Sequence, residues 1–137
     1  MSVKVLTRTM FIIWAMAIAV FSIIPYQNND GIANDKLVSS SRAEMHFIAY
    51  FIGALLCYYG FRRHGISFIL LNGFSVFLFG AALEIVQLYL PYRTFNIRDI
   101  VANAFGIILF VLFWAIYSHF LKRKRSADYA DLHKYER

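Results

Sequence analysis

Residues 66–90 read ISFILLNGFSVFLFGAALEIVQLYL and form the longest apolar stretch of the chain, with Glu84 as its one charged side chain. As a helix, this stretch is about 37 Å long and exceeds the roughly 30 Å of hydrocarbon in a bilayer. Odd and even positions are apolar alike, which is not the alternation of a half-buried strand. Because backbone groups in lipid must pair within their own segment, we predict a transmembrane helix here.

Three further apolar segments accompany it, at residues 9–24, 42–61 and 99–121, each bounded by polar or charged residues. The chain is 60% hydrophobic and 16% charged, which is too apolar for an ordinary soluble domain. We therefore predict an all-α integral membrane four-helix bundle. Residues 1–121 form its single transmembrane domain and residues 122–137 form a basic cytoplasmic tail, whose part from Ser126 to Arg137 we expect to be mobile.

The orientation of the bundle follows from the distribution of lysine and arginine, which favours cytoplasmic loops. Eight of these residues lie at the start, between the second and third segments and in the block 122–125 directly after the fourth, whereas four lie in the other two loops. This predicts that both termini are cytoplasmic (N-in/C-in). Lys4 and Arg8 before an apolar run also occur in cleaved signal peptides, but no convincing small-residue cleavage site follows.

Several classes of function are disfavoured by the composition. The net charge of +6 comes from clusters beside the apolar segments, which read as topology signals and not as a nucleic-acid surface. Cys57 has no partner for a disulfide, and the four histidines are too scattered for a zinc motif. We expect no metal ion, no cofactor and no nucleic-acid partner.

Polar side chains interrupt the apolar segments at one end of the predicted bundle. Glu84 lies roughly 9 Å inside the end of its helix, and Gln87 shares its face one turn later. The second and fourth segments begin with stripes of identical spacing, His46-Tyr50-Gly53 and Asp99-Asn103-Gly106. In the predicted orientation these groups share one level in the outer half of the bilayer. The first segment carries little of this chemistry, so we expect it mainly to pack.

Arg42, Arg93 and Arg98 lie close to these polar groups in the sequence. The planar guanidinium group of an arginine can bind a phosphate or a carboxylate with two hydrogen bonds. Ionisable groups inside membrane segments are costly and usually have a partner or a function. The predicted ligand-binding residues are Arg42, His46, Tyr50, Glu84, Gln87, Arg93, Arg98, Asp99 and Asn103, of which His46, Glu84 and Asp99 are also candidate catalytic residues.

The string GAALEIVQLYLPYRTFNIRDIVANAFG at residues 80–106 and HFIAYFIGALL at residues 46–56 together resemble the motifs of the VanZ-like family, named for an accessory protein of teicoplanin resistance. The resemblance covers residues 11–121. It implies a small, multi-pass protein of the bacterial inner membrane, where some members lower glycopeptide binding at the cell surface and no biochemical activity is agreed. The matching positions are Gly80, Glu84, Gln87, Pro91, Arg93, Asp99, Asn103 and Gly106.

One feature departs from the family pattern. Family members usually carry Asp-Lys immediately before the His-Phe pair, whereas here nine residues separate Lys36 from His46. Either the loop is longer and Lys36 folds back, or Arg42 replaces it as the cation.

Three functions remain open at this stage. In the first, the polar level binds an anionic lipid-linked envelope precursor and helps to translocate or present it, with an effect on teicoplanin susceptibility. In the second, the polar groups only lock the helices, at about 0.6 kcal/mol per hydrogen bond. The third is an intramembrane hydrolase or transferase that uses Glu84, Asp99 and His46 for acid-base work. Expected partners are membrane lipids and, for a scaffold, further copies of the chain.

Overall fold

A computed structural model describes residues 2–24, 35–61, 66–91 and 95–132. Its helices are α1 (Val3–Ile23), α2 (Asp35–Phe61), α3 (Ile66–Gln87) and α4 (Ile97–Leu132), and the described residues contain no strand. Each helix includes a segment that is long and apolar enough to cross a membrane. The predicted all-α fold of four membrane helices is confirmed, and the protein is a multi-pass membrane protein.

The helix ends differ from the predicted ones because hydropathy reports the lipid-facing part of a helix and not its full length. Helix α1 begins at Val3 and α2 at Asp35, both earlier than predicted. Helix α3 ends at Gln87, and the next residues tighten into turns, with the Leu90 amide donating to the Gln87 carbonyl at 3.1 Å before Pro91. The residue before a proline is disfavoured in helical conformation, which explains the early end.

Helix α4 shows the largest difference, since it continues to Leu132. Residues 122–132 belong to the predicted basic tail, and their backbone continues the helix past its predicted end at residue 121. Lysine, arginine and alanine are good helix formers, so the basic block extends the helix where apolar burial has stopped. With 36 residues, α4 is about 54 Å long and exceeds the hydrocarbon thickness.

Helix α2 is the centre of the bundle, because it packs against each of the other three helices. Helices α3 and α4 also contact each other, whereas α1 and α4 share no contact in the described part of the chain. The buried core lies between α2, α3 and α4 and consists of Tyr50, Ala54, Cys57, Tyr58, Ile69, Val76, Ile107 and Phe110.

Helix α1 is attached to the outside of this core and has no buried residue of its own. Its Trp14 ring lies against Gly53 of α2, and the indole nitrogen donates to the Ala49 carbonyl at 2.9 Å. Near the other end, Arg8 Nε donates to the Gly60 carbonyl at 2.8 Å. Most of the remaining α1 surface is exposed and apolar, as expected for a helix that faces lipid.

Helices α2 and α4 lie close together at Gly106. A Cβ atom there would overlap the backbone carbonyl oxygen of Phe47 and lie 3.0 Å from the Phe51 nitrogen. Gly106 therefore leaves room for the backbone of α2. This close approach brings the first turns of the two apolar segments together, and with them the polar side chains.

Candidate functional site

Three helices deliver a histidine and two carboxylates to one point near the end of the bundle where α2 and α4 begin. His46 comes from α2, Glu84 from α3 and Asp99 from α4, and one nitrogen or oxygen of each lies within 4.8 Å of the others. Glu84 and Asp99 are 1% and 2% exposed, respectively. We call these three residues, together with Asn103, the polar cluster.

The imidazole of His46 is held on both edges. Its Nδ1 lies 3.0 Å from Oδ1 of Asn103, and its Nε2 lies 3.8 Å from Oδ2 of Asp99. Because a carboxamide oxygen only accepts hydrogen bonds, this contact is a hydrogen bond in the tautomer that carries the proton on Nδ1. The ring also stacks on Tyr50 one turn later, with the ring centres 6.2 Å apart. Nε2 is therefore the nitrogen that is turned toward Asp99.

Asp99 is oriented by the residue that begins its helix. Asn96 precedes α4 and accepts a hydrogen bond from the Arg98 amide at 3.1 Å, while its own amide donates to Oδ1 of Asp99 at 3.2 Å. An asparagine at this position caps the unpaired backbone N–H groups of a helix. Oδ1 of Asp99 thus accepts from the capping residue Asn96, and Oδ2 faces His46.

Glu84 lies on the face of α3 that meets Tyr50. Gly80, one turn earlier on this face, has no side chain where the Tyr50 ring packs, and a Cβ there would lie 2.7 Å from the phenol oxygen. Tyr50 itself is 2% exposed and contacts the Trp14 ring edge-on, at 5.6 Å between centres. The predicted site residue Tyr50 thus links α1, α3 and the His46 ring.

Gln87 is buried, as expected of a site residue, but its described hydrogen bond is to α1 and not to the polar cluster. Its side-chain nitrogen lies 3.4 Å from the Ser22 carbonyl near the end of α1. In the described part of the chain, the hydrogen bond of Gln87 therefore connects α3 to α1.

The predicted cations have different surroundings. Arg42 is half-buried one helical turn before His46, and Arg98 is exposed next to Asp99. Arg93 lies outside the described residues. The backbone of α2 is continuous from Asp35, so Lys36 is not in a folded-back loop and lies ten residues, about 15 Å along the helix, from His46. This favours Arg42 over Lys36 as the cation that replaces the family lysine.

Comparison with known proteins gives one match. A sequence model described as VanZ/LLP1 matches residues 9–118, which include all three segments that supply the polar cluster. The chain belongs to the VanZ/LLP1 family. The family predicted from the two motifs is confirmed. No curated protein and no solved structure matches the chain.

Sequence reasoning missed two asparagines of this VanZ-family protein. Asn96 was recoverable, since Asn-x-x-Asp directly before an apolar run is the pattern of a capped helix start. Asn72 is 6% exposed in α3, where it accepts a hydrogen bond from the Cys57 thiol and donates to the Phe68 carbonyl. Its position in mid-helix gave no signal of a contact with α2.

The polar cluster can act on a ligand in two ways. The two carboxylates and Nε2 of His46 are hydrogen-bond acceptors that converge, so they suit a cation, a proton or the hydroxyl groups of a ligand. The side-chain nitrogen of Asn103 is buried and donates no hydrogen bond to any described residue, so it can serve a ligand oxygen. The site is therefore suited to a polar ligand that offers both donors and acceptors.

Proposed function

We propose that this VanZ-family protein lies in the bacterial cytoplasmic membrane, where its polar cluster binds the anionic headgroup of a lipid-linked cell-envelope component and helps to translocate or present it. The observation that carries the proposal is the convergence of His46, Glu84 and Asp99 from three separate helices, with both carboxyl groups buried. A network that only holds the helices together needs hydrogen-bond donors paired with acceptors. Here, hydrogen-bond acceptors from three helices converge on one point.

The donors around the polar cluster support an anionic ligand. Arg42 precedes His46 by one turn and Arg98 is adjacent to Asp99, so both guanidinium groups start from the backbone that carries the cluster. A guanidinium fork binds phosphate oxygens in pairs. The buried Asn103 amide adds a donor that has no acceptor among the described residues. The carboxylates would accept from hydroxyl groups of the same headgroup.

The orientation adds a reason for an envelope ligand. Next to the apolar segments, eight lysines and arginines on one side against four on the other favour cytoplasmic termini, which would put the polar cluster in the outer half of the membrane. Headgroups of lipid-linked wall precursors are exposed on that side, so a change in teicoplanin susceptibility would follow from their altered presentation. A reporter fused between Leu90 and Ile97 would report the location of this loop, and a cytoplasmic location would contradict the proposal.

Binding can be measured with a polyprenyl phosphate and the matching uncharged polyprenol, each added to the delipidated protein in detergent and followed by native mass spectrometry. We expect the phosphate to bind more tightly than the alcohol. Arg98→Ala should weaken phosphate binding by roughly tenfold or more, because a hydrogen bond to a charged group is worth about 1.5–3 kcal/mol. Arg123→Ala, in the extension of α4, is the matched control and should bind as the wild type does.

Two results would contradict the headgroup proposal: equal affinity for the phosphate and the alcohol, or unchanged phosphate affinity in both Arg98→Ala and Glu84→Gln. If Glu84→Gln lowers only the thermal stability, and susceptibility to teicoplanin follows the amount of protein in the membrane, the cluster is a helix-locking network instead.

A second function, an intramembrane hydrolase or transferase, is favoured by one specific observation. The atoms of His46, Glu84 and Asp99 lie within 4.8 Å of one another, close enough to reach one substrate group. General acid-base catalysis contributes about two to four orders of magnitude in rate. Incubating the protein with a radiolabelled polyprenyl diphosphate and following phosphate release, with His46→Gln as the inactive control, tests this function. An unchanged diphosphate would reject this reaction and leave binding.

A further inference from the structure

The polar cluster also has the donor set of a metal site. We propose that Nε2 of His46 and the carboxylates of Glu84 and Asp99 bind one divalent transition-metal ion, such as Zn²⁺. The inference does not depend on the headgroup proposal, since the ion binds to side chains of this chain alone. The spacing of histidines along the sequence does not reveal such a site, because each ligand comes from a different helix.

The protonation of His46 is the first argument. Oδ1 of Asn103 accepts a hydrogen bond from Nδ1 at 3.0 Å in the tautomer that has its lone pair on Nε2. That lone pair faces Oδ2 of Asp99 at 3.8 Å. This separation is longer than a direct charge-assisted hydrogen bond, which is about 2.7–2.9 Å long, and it leaves room for an ion that binds both atoms.

The distances fit a single ion. Zinc bonds to histidine nitrogen and carboxylate oxygen are about 2.0–2.2 Å long, so two ligands of a tetrahedral ion lie about 3.4 Å apart. The pair at 3.8 Å exceeds this by about 0.4 Å. The widest separation in the set is at most 4.8 Å, and rotation of a carboxylate can close the difference of about 1.4 Å.

The surroundings of the ligands are the second argument. Metal-bound histidines almost always donate their other N–H to an oxygen that fixes the ring, and metal-bound carboxylates are in turn hydrogen-bonded. Asn103 does the first for His46, and Asn96 does the second for Asp99 at 3.2 Å. The buried nitrogen of Asn103, which has no acceptor in the described part of the chain, offers a hydrogen bond to an oxygen bound to the ion.

The ligand set indicates the type of ion. One imidazole and two carboxylates suit Zn²⁺ or Mn²⁺ better than Mg²⁺, which prefers oxygen ligands and keeps several waters. Three protein ligands leave a coordination position open, as in catalytic zinc sites. An oxygen of a phosphate could occupy it, so the ion would join two buried carboxylates to an anionic ligand that they would otherwise repel.

The test is a metal-binding measurement on the full chain, purified in detergent through a tag that contains no histidine and treated with a chelator. After equilibrium dialysis against micromolar Zn²⁺, elemental analysis should find about one ion per chain. His46→Gln and Asp99→Asn keep the side-chain size and should each weaken the affinity by more than about 100-fold, since second-layer changes alone cost 10–100-fold. His119→Gln, exposed on the far part of α4, is the control and should bind as the wild type does.

A spectroscopic measurement on the wild type removes the dependence on variants that fail to fold. X-ray absorption of the zinc-loaded protein should show nitrogen and oxygen neighbours at about 2.0–2.2 Å, including the outer shell of one imidazole. A sulfur neighbour at about 2.3 Å would assign the ion to Cys57 and overturn the proposal. So would the absence of bound zinc, or equal losses in His46→Gln and His119→Gln.

Asn103 is a positioning residue in this proposal, and it has its own test. Asn103→Leu removes the acceptor for Nδ1 and should weaken zinc binding by about 10–100-fold. Asn103→Asp restores an acceptor and should recover the affinity. Equal affinities in both variants would refute the positioning role. The zinc measurements contain no lipid-linked ligand. A chain that binds no zinc would therefore leave the headgroup proposal standing, and a chain that does not bind polyprenyl phosphate would leave the zinc proposal standing.

Discussion

Gly106 is the position where a single methyl group should have the largest structural effect. In Gly106→Ala the new Cβ meets the backbone of α2, at the Phe47 carbonyl oxygen and at the Phe51 nitrogen, 3.0 Å away. A flexible side chain could rotate away from such a contact, but a helical backbone cannot. The two helices must therefore separate at this point.

The expected cost follows from two opposing effects. Overpacking a well-packed interior costs about 1–3 kcal/mol, and the upper end applies because the obstacle is backbone. Replacing glycine by alanine inside a helix gains roughly 0.5–1 kcal/mol. The variant should lose about 2 kcal/mol of unfolding free energy, or roughly 30-fold in the ratio of folded to unfolded protein. His46 directly precedes Phe47, so the same separation should lengthen its 3.0 Å contact with Asn103.

Reversible unfolding in mixed micelles, with an increasing fraction of denaturing detergent, measures this free energy. Gly73→Ala is the matched control: its Cβ would lie 3.0 Å from the γ2 methyl group of Ile107, which is a contact with a side chain and not with a backbone. It should unfold within about 1 kcal/mol of the wild type. If Gly106→Ala is as stable as the wild type, or if Gly73→Ala loses as much, the close packing of α2 on α4 does not hold the bundle as argued.

Other contacts give smaller, separate effects. Trp14→Phe removes the 2.9 Å hydrogen bond to the Ala49 carbonyl and should cost about 1 kcal/mol in the same unfolding assay; no loss would show that the bond contributes nothing. Arg8→Lys keeps the charge but loses the planar donor to the Gly60 carbonyl at 2.8 Å, so we expect a loss of about 1 kcal/mol with unchanged membrane topology. The buried Cys57 thiol should react with a maleimide reagent only after unfolding, and rapid labelling of the folded protein would contradict its buried position.

Hydropathy predicted the membrane segments well because crossing a bilayer fixes both the length and the composition of a helix. The ends of the helices were harder to predict. At the start of α2 and at the end of α4, the polar residues 35–41 and 122–132 continue the helix beyond the apolar segment. No apolar boundary marks these extensions, and the helix propensity that maintains them is a weak signal.

The stripe beginning at His46 and the one beginning at Asp99 identified the polar cluster, because the period of a helix determines which residues share a face. Periodicity does not determine which faces meet. The direction of Gln87 toward Ser22 depends on where α1 packs, and no pattern within α3 reports it. The metal-type arrangement was missed for the same reason: its ligands are 15 or more residues apart on three helices, so only the packing brings them together.

The packing of α1 affects the polar cluster even though α1 supplies none of its side chains. The rings of Trp14 and Tyr50 pack nearly perpendicular to each other. Tyr50 also stacks on His46 and fills the space left by Gly80 on α3. A shift of α1 therefore changes the position of the ring that supports the histidine, and it also affects the face of α3 that carries Glu84. The expectation that α1 mainly packs is compatible with this arrangement. Its packing contributes to the geometry of the site, because Trp14 contacts Tyr50 and Tyr50 contacts His46 of the polar cluster.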